Sequence, residues 1–544
     1  MDDDSSVASR LAPSAWTDSY RSLVRVARPE LTAADLEVLA VAAYLFGDDG
    51  VSAEAWEAAY GRHLDEGDRA DAARCSFWLA LTSMLQGRMA HAGGWLARAE
   101  KVLGDDRECP AAGYLLIPGL LGSLESGDVD GALGLAIQAG EVGARFDDAD
   151  LVALATLGHG QALLAGDDTA AGLAKLDELM LSVKAGEVGP IASGIVYCAV
   201  ILECMQVLDL ARATEWTDAL DAWCQAQPDL VPYRGQCLVH QSQLHQAAGD
   251  WQEAAATAAL ARERLSDPPH PALGLALYQE AELLRVLGSL DAAAEAYAQA
   301  SRAGYEPMPG LALLSLAHGE VQVASAGIRR VLGETSRPVM RPPLLSAAVE
   351  IHRAAGDRDA ARAAALELED IAKGSTSEVM RALAEDAVGS VGLDDGDVAG
   401  ALGHLRVAAE AWRKLSMPYH SARTGVSIGL GCAALGDGAT AALEFENARA
   451  TFTALGAAPD LARLESLAGG LTPGSRAGSG TGPLSARELE VLAHVAAGRS
   501  SPEIAEELSI SQHTVRRHLG NIFAKLGVNS RAAATAYAYE HGLL

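Results

Sequence analysis

The stretch from Ser500 to Gly527, SSPEIAEELSISQHTVRRHLGNIFAKLG, predicts two short helices joined by a tight turn. Ser500 and Ser511 each stand just before a helical pattern, where a hydroxyl can cap free backbone N–H groups of the first turn. Apolar residues of the second helix recur three or four positions apart, at Val515, Leu519, Ile522 and Leu526. One face of that helix is therefore predicted to be buried, and Gly527 is typical of its end.

The opposite face of the second helix is polar and basic. It presents His513, Thr514, Arg517, Gly520, Asn521 and Ala524, with Arg516 on one flank and His518 and Lys525 on the other. No acidic residue occurs between Glu507 and Glu540. A basic helical face of this kind is typical of an element that approaches the phosphates of nucleic acid.

The formal net charge of −30 on 544 residues speaks against nucleic-acid binding at first sight. From position 484 to the end, however, six Lys/Arg balance six Asp/Glu, and the stretch 469–483 adds only Arg476. The residues before it therefore carry −31. The acidity therefore belongs to the long N-terminal part, whereas the part from position 484 onward is neutral overall.

Two further helices flank the opening stretch. The segment LSARELEVLAHVAAG has Ser485 and Glu488 in capping-box spacing, and NSRAAATAYAYEHGLL supplies a last helix capped by Ser530. Together the four helices are similar to the LuxR-type helix-turn-helix domain over some fifty positions, from LSARELEVL through EIAEELSIS and HTVRRHLGNIFAKLGV to NSR. This resemblance implies DNA binding as a homodimer, with the last helix as the dimer surface.

The resemblance also implies a role for individual residues. The residues expected to face base edges are His513, Arg516, Arg517, Gly520 and Asn521, and those expected to contact phosphates are Ser500, Ser501, Ser511, Thr514, Lys525 and Arg531. The sequence departs from the family at Ser501-Pro502, at Gly520, which removes one side chain from the reading face, and at Ala533.

A glycine-led pattern recurs along the part of the chain before this domain. Each copy has a small residue five positions after the Gly, an apolar residue four later and another small residue three later. Copies start at Gly87, Gly127, Gly249, Gly288, Gly356, Gly396 and Gly436, weaker ones at Gly47, Gly166 and Gly319, and a degenerate one near Leu208. Several neighbouring copies start 39 or 40 residues apart. The Gly can end one helix in a left-handed cap and the following Asp or Ser can start the next, so the pattern predicts stacked helical hairpins.

This pattern resembles tetratricopeptide repeats, whose period is about 34. It is more similar to the helical sensor domain of large bacterial activators such as the maltose-regulon activator, but no P-loop of an ATPase occurs in the chain. The predicted fold is all-α: a TPR-like α-solenoid of about ten or eleven hairpins, joined by a flexible linker to the four-helix domain. The predicted ranges are 1–30, a partly disordered segment; 31–468, the repeat domain; 469–483, the Gly/Ser/Pro linker; and 484–544, the DNA-binding domain.

One segment of the repeat domain is unusually aromatic. Between Glu215 and Gln246 it places Trp216, Trp223, Tyr233, Arg234 and His240 beside two prolines. We expect either a ligand or partner pocket with aromatic walls and one cation, or aromatic side chains that fill a longer inter-helix turn.

Composition excludes several other classes of protein. Seven scattered cysteines without a Cys-x-x-Cys pair fit thiols in a reducing cytoplasm, and neither a signal peptide nor a run long enough to cross a membrane is recognised. No catalytic or metal-binding motif is present, so the sequence predicts no enzyme, no cofactor and no metal.

The first hypothesis is a cytoplasmic bacterial transcription regulator. It would bind double-stranded DNA, sense a small molecule or protein through its solenoid, and contact RNA polymerase in one version of the mechanism. The alternative is a protein-interaction scaffold, in which the acidic repeats are the main function and DNA binding is secondary.

Overall fold

A computed structural model describes Leu11 and residues 15–166, 168–227, 229–267, 270–335, 337–470, 484, 486–508, 510–528, 530–541 and 543. Within these ranges the secondary structure is helical and contains no strand, which confirms the all-α prediction. None of the helices described is both long and apolar enough to cross a membrane.

The chain divides into two compact units. The first comprises Met1–Arg285, Ser289–Ala347 and Asp370–Met380, and the second comprises Val286–Gly288, Ala348–Glu369 and Arg381–Leu544. The helices up to the middle of the chain are α1 Trp16–Leu23, α2 Ala33–Phe46, α3 Asp49–Glu66, α4 Arg69–Leu85, α5 Met89–Leu103, α6 Pro110–Tyr114, α7 Ile117–Ser126, α8 Val129–Arg145, α9 Ala149–Ala165, α10 Thr169–Lys184, α11 Pro190–Gln206, α12 Leu210–Gln225, α13 Arg234–Ala248, α14 Trp251–Ser266 and α15 Leu273–Leu287.

The remaining helices complete the repeats and form the C-terminal domain. They are α16 Leu290–Arg302, α17 Gly310–Ala317, α18 Val321–Glu334, α19 Pro342–Ala355, α20 Arg358–Lys373, α21 Glu378–Asp395, α22 Val398–Lys414, α23 Pro418–Ala434, α24 Gly438–Leu455, α25 Ala458–Gly470, α26 Ala486–Ala496, α27 Ser501–Glu507, α28 Gln512–Leu526 and α29 Arg531–Glu540. Short 3₁₀ turns lie at Arg28–Glu30 and Pro338–Met340. Apart from the two glycines that end α25, the predicted linker lies outside the described residues.

The turn within each hairpin follows the predicted chemistry. Gly127 and Gly396 take left-handed conformations, with φ of +76° and +89°. The next residue, Asp128 or Asp397, accepts a hydrogen bond from the backbone N–H three positions on, at 3.0 and 3.1 Å. The turn at Gly127 joins α7 to α8, and these two helices pack against each other, as do successive helices such as α8 and α9 or α23 and α24. The predicted array of helical hairpins is therefore confirmed.

Two of the weaker copies of the repeat depart from this scheme. The weak copy at Gly166 does not use a left-handed glycine, since its φ is −90°. The degenerate copy uses Leu208 itself in the left-handed conformation, with φ of +59°, and Asp209 caps the next helix. A side chain can thus occupy this turn, although the left-handed conformation costs a non-glycine residue about 1–2 kcal/mol.

The N-terminal helix α1 is anchored to a distant part of the first unit. Trp16 is fully buried, and its indole N–H donates to the side chain of Gln227 at 3.0 Å. Close by, the backbone N–H of Val231 donates to the carbonyl of Leu45 at 2.9 Å. The part of the predicted N-terminal segment that the structure describes is therefore tied to residues about two hundred positions away.

A buried charged triad joins α2, α3 and α4. His63 Nε2 lies 2.7 Å from Glu37 Oε1, and a terminal guanidinium nitrogen of Arg74 donates to Glu37 Oε2 at 3.0 Å. The hydrogen bond to Glu37 raises the pKa of His63. Burial raises the pKa of Glu37, but His63 and Arg74 outweigh it and lower the pKa overall.

Because of this triad, we expect the free energy of unfolding to decrease as the pH rises. Because the folded pKa of His63 lies above its unfolded value of about 6.5, its contribution is complete below that pH and is lost as pH rises through the folded pKa. Thermal unfolding followed by circular dichroism should show a falling midpoint above about pH 6.5. The His63→Gln variant should lose this slope, and an unchanged slope would refute the assignment.

The turn glycines give a second stability test. A Cβ at Gly127 would meet no atom within 4 Å, so Gly127→Ala should lose about 1–2 kcal/mol solely because of the left-handed backbone. Gly134, inside α8, has equally open surroundings. Gly134→Ala should therefore gain about 0.5–1 kcal/mol from helix propensity. The midpoints of chemical denaturation should shift in opposite directions, and shifts of the same sign would contradict the proposed turn mechanism.

Candidate nucleic-acid interface

The C-terminal helices α26 to α29 enclose a core of their own. Its centre consists of fully buried residues, which are Val491, Leu492, Ile504, Val515, Ile522, Ala534 and Ala538. Every member of this core comes from positions 484–543. The apolar stripe predicted for α28 therefore faces this core, and the other faces of the helix remain for contacts outside it.

Serine side chains cap the starts of α27 and α28, as expected. The carboxylate of Glu503 accepts from the backbone N–H and the hydroxyl of Ser500, at 2.7 and 2.6 Å. Ser511 Oγ accepts the backbone N–H of Thr514 at 3.0 Å and lies 2.7 Å from its hydroxyl. Both helices therefore begin at the serines that the helix-turn-helix prediction names as caps.

The predicted reading residues of α28 differ in exposure. Arg516 and Gly520 are exposed, whereas Thr514, Arg517 and Asn521 are partly buried. A Cβ at Gly520 would meet no atom within 4 Å, so this position is a gap on the surface of the helix. The side chain of His513 lies outside the described residues.

Two predicted phosphate contacts are engaged inside the domain. Lys525 Nζ donates to Glu488 Oε2 at 2.7 Å, and that carboxylate is almost fully buried. Arg531 donates to Ser501 Oγ and to the carbonyl of Arg499, both at 3.2 Å. Lys525 and Arg531 therefore make hydrogen bonds within the domain in this structure, and their contacts with DNA phosphates stay predictions.

Two contacts of this domain were not foreseen from the sequence. Arg487 donates to the carbonyl of Leu508 at 2.9 Å and so supports the end of α27. His518, predicted on a flank of the reading face, is only 2% exposed because it faces Asp437 at the start of α24. Each contact joins residues that are far apart in the chain, so neither has a local signal in the sequence.

The aromatic segment of the repeats is packed inside the first unit. Trp216, Tyr233 and His240 are 4%, 9% and 0% exposed, and Trp223 is partly buried against the core. The hydroxyl of Tyr233 donates to the carbonyl of Ile191 at 3.1 Å, and its ring contacts Trp223. These contacts favour the alternative in which aromatic side chains fill the turn. The side chain of Arg234 lies outside the described residues, and the pocket stays a prediction.

The separate core, the serine caps and the exposed basic face of α28 together define a LuxR-type helix-turn-helix domain. Residues 482–538 match the GerE family, bacterial regulatory proteins of the luxR family. The chain is 41% identical over 71 residues to the transcriptional regulatory protein MctR of Rhizobium johnstonii, covering 13% of this chain and 33% of MctR. It is 51% identical over 61 residues to the probable transcriptional regulatory protein NarL of Mycobacterium tuberculosis, covering 11% of this chain and 28% of NarL.

The similarity to these proteins extends over 71 and 61 residues of this chain. The chain spans a third or less of the length of these curated relatives. Among solved structures, it is similar to the Cut9–Hcn1 hetero-tetramer of the APC/C, with a TM-score of 0.36 and 13% identity over 84% of this chain and 95% of that chain.

Proposed function

We propose that this protein is a transcription regulator rather than an enzyme, and that it binds double-stranded DNA through α28. The observation that carries this proposal is the division of α28 into two faces. Its apolar face is held in the domain core, while Arg516 and Gly520 are exposed next to Arg517. An α-helix fits into the major groove, where an Arg can donate two hydrogen bonds to guanine.

The distribution of charge supports the same proposal. The net charge of −31 belongs to residues before the linker, whereas the C-terminal domain is neutral overall and presents bases on α28. At physiological salt, charges further apart than about 8–10 Å are largely screened from one another. The summed charge of the distant acidic repeats therefore does not repel DNA from α28.

We further propose that the regulator acts in the cytoplasm as a homodimer that pairs through α29. Tyr539 on this helix is 65% exposed, although it is a large side chain. Two copies of α28 would read two half-sites one helical turn apart, which compensates for the few contacts of a single domain. The repeats would sense a small molecule or a protein, and DNA-bound dimers would act on RNA polymerase.

The assignment of the reading residues can be tested with matched charge changes. The Arg516→Ala/Arg517→Ala variant should weaken duplex binding more than tenfold, because each Arg–base contact contributes about 1–3 kcal/mol. The Arg302→Ala/Arg413→Ala variant removes two exposed arginines of the repeats and changes the net charge equally. Fluorescence anisotropy with a labelled duplex at low salt measures both, and equal affinities would refute the assignment.

Gly520 offers a second test, of stability and affinity together. Because nothing lies within 4 Å of a Cβ there, Gly520→Lys and Gly520→Glu should each stabilise the helix by about 0.5–1 kcal/mol. The Lys variant should bind duplex more tightly, with a salt slope steeper by about one, whereas the Glu variant should bind more weakly. Affinities that change in the same direction for both variants would place this position away from the DNA.

A further inference from the structure

The last repeat of the second unit contacts α28 directly. His518 Nε2 lies 3.4 Å from Asp437 Oδ2, an ion-pair distance without the alignment of a hydrogen bond. His518 is 2% exposed and Asp437 is 4% exposed, so the contact excludes water. The other oxygen of Asp437 accepts the backbone N–H of Thr440 at 3.0 Å and caps α24. One carboxylate therefore serves both the start of a repeat helix and the contact with α28.

A second acidic residue of α24 lies near the reading face. Burial raises the pKa of Glu444, against the attraction of Arg406 and Arg517. Burial also raises the pKa of Asp437, but its contacts with His518 and Thr440 outweigh this and hold the pKa at about 2. Asp437 thus contacts His518, and Glu444 is attracted to Arg517, the adjacent position of α28.

This contact lies on one flank of the helix face that the proposed function assigns to DNA. The major groove is about 12 Å wide, so it closely surrounds an inserted helix on both sides. The start of α24 against His518 occupies space on this flank that a wall of the groove would need. The partial burial of Arg517 and Asn521 agrees with this arrangement, while Arg516 and Gly520 stay exposed.

We propose that the last repeat is an internal competitor of DNA: α24 holds α28 in a closed state through Asp437 and Glu444, and DNA binding requires its release. This inference rests on the proposed function. In a two-state equilibrium the apparent dissociation constant for DNA is the intrinsic value divided by the open fraction, so it rises as the open fraction falls. A partner that binds the open state better would release the domain, and it needs no contact with α28 itself.

The chain supplies a matched pair of variants for this contact. Asp437→Asn removes the charge that faces His518 but keeps an oxygen that can cap α24. Asp397→Asn makes the same change at the equivalent turn of the preceding repeat, where Asp397 caps α22 and is exposed. Glu444→Gln, with exposed Glu446→Gln as its control, tests the contact without altering a cap.

Duplex affinity of the full chain is the first measurement. A mixed-sequence labelled duplex at low salt should bind Asp437→Asn and Glu444→Gln about tenfold more tightly than the parent, or about 1.4 kcal/mol. The two control variants should bind like the parent. Unchanged affinity in both test variants, with the parent binding duplex, would overturn the closed state.

Amide hydrogen exchange of the DNA-free chain is the second measurement. The amides of α24 and α28 should exchange faster in Asp437→Asn than in Asp397→Asn relative to the parent. Faster exchange without duplex binding by any variant would overturn the proposed function and support the closed contact. Equal exchange in the two variants would overturn the closed contact, whatever the affinity for DNA.

Discussion

Every helix in this protein leaves backbone N–H groups free at its start, and the whole fold depends on how they are satisfied. The repeats meet the requirement with an aspartate placed directly after a turn, as at Asp128 and Asp397. The C-terminal domain meets it with serines, as at Ser511 and Ser530. Because the caps sit in turns of a few residues, successive helices must lie side by side. Much of each apolar face is then buried against neighbouring helices.

Local chemistry made the fold class and the C-terminal domain predictable from sequence. Turn glycines, capping residues and the stripe ending at Leu526 all act over less than one helical hairpin, and their outcome agrees with the prediction. The turn of the weak repeat at Gly166 was harder to predict, because this glycine has a negative φ and not the left-handed conformation of the other turns. Leu208 shows the converse. It takes the left-handed conformation, but a turn without a glycine is difficult to recognise in the sequence.

Contacts between distant residues account for what the sequence did not reveal. The approach of Asp437 to His518 joins positions 81 residues apart and depends on how helices pack, which no local pattern encodes. The pairing of Lys525 with Glu488 is of the same kind: each residue reads as exposed in its own helix, and only packing of α28 on α26 buries the carboxylate. Exposure of individual site residues was therefore the least predictable property.

The anchoring of Trp16 to Gln227 changes how the repeats are expected to unfold. Arrays of helical repeats usually gain stability from nearest neighbours alone, so that they can lose repeats one at a time from either end. Here a buried hydrogen bond joins residues 211 positions apart, and the N-terminal helix cannot detach without exposing the core beneath it. The helices between these two residues therefore form one cooperative folding unit, whose closure must await the synthesis of α12 and the turn after it.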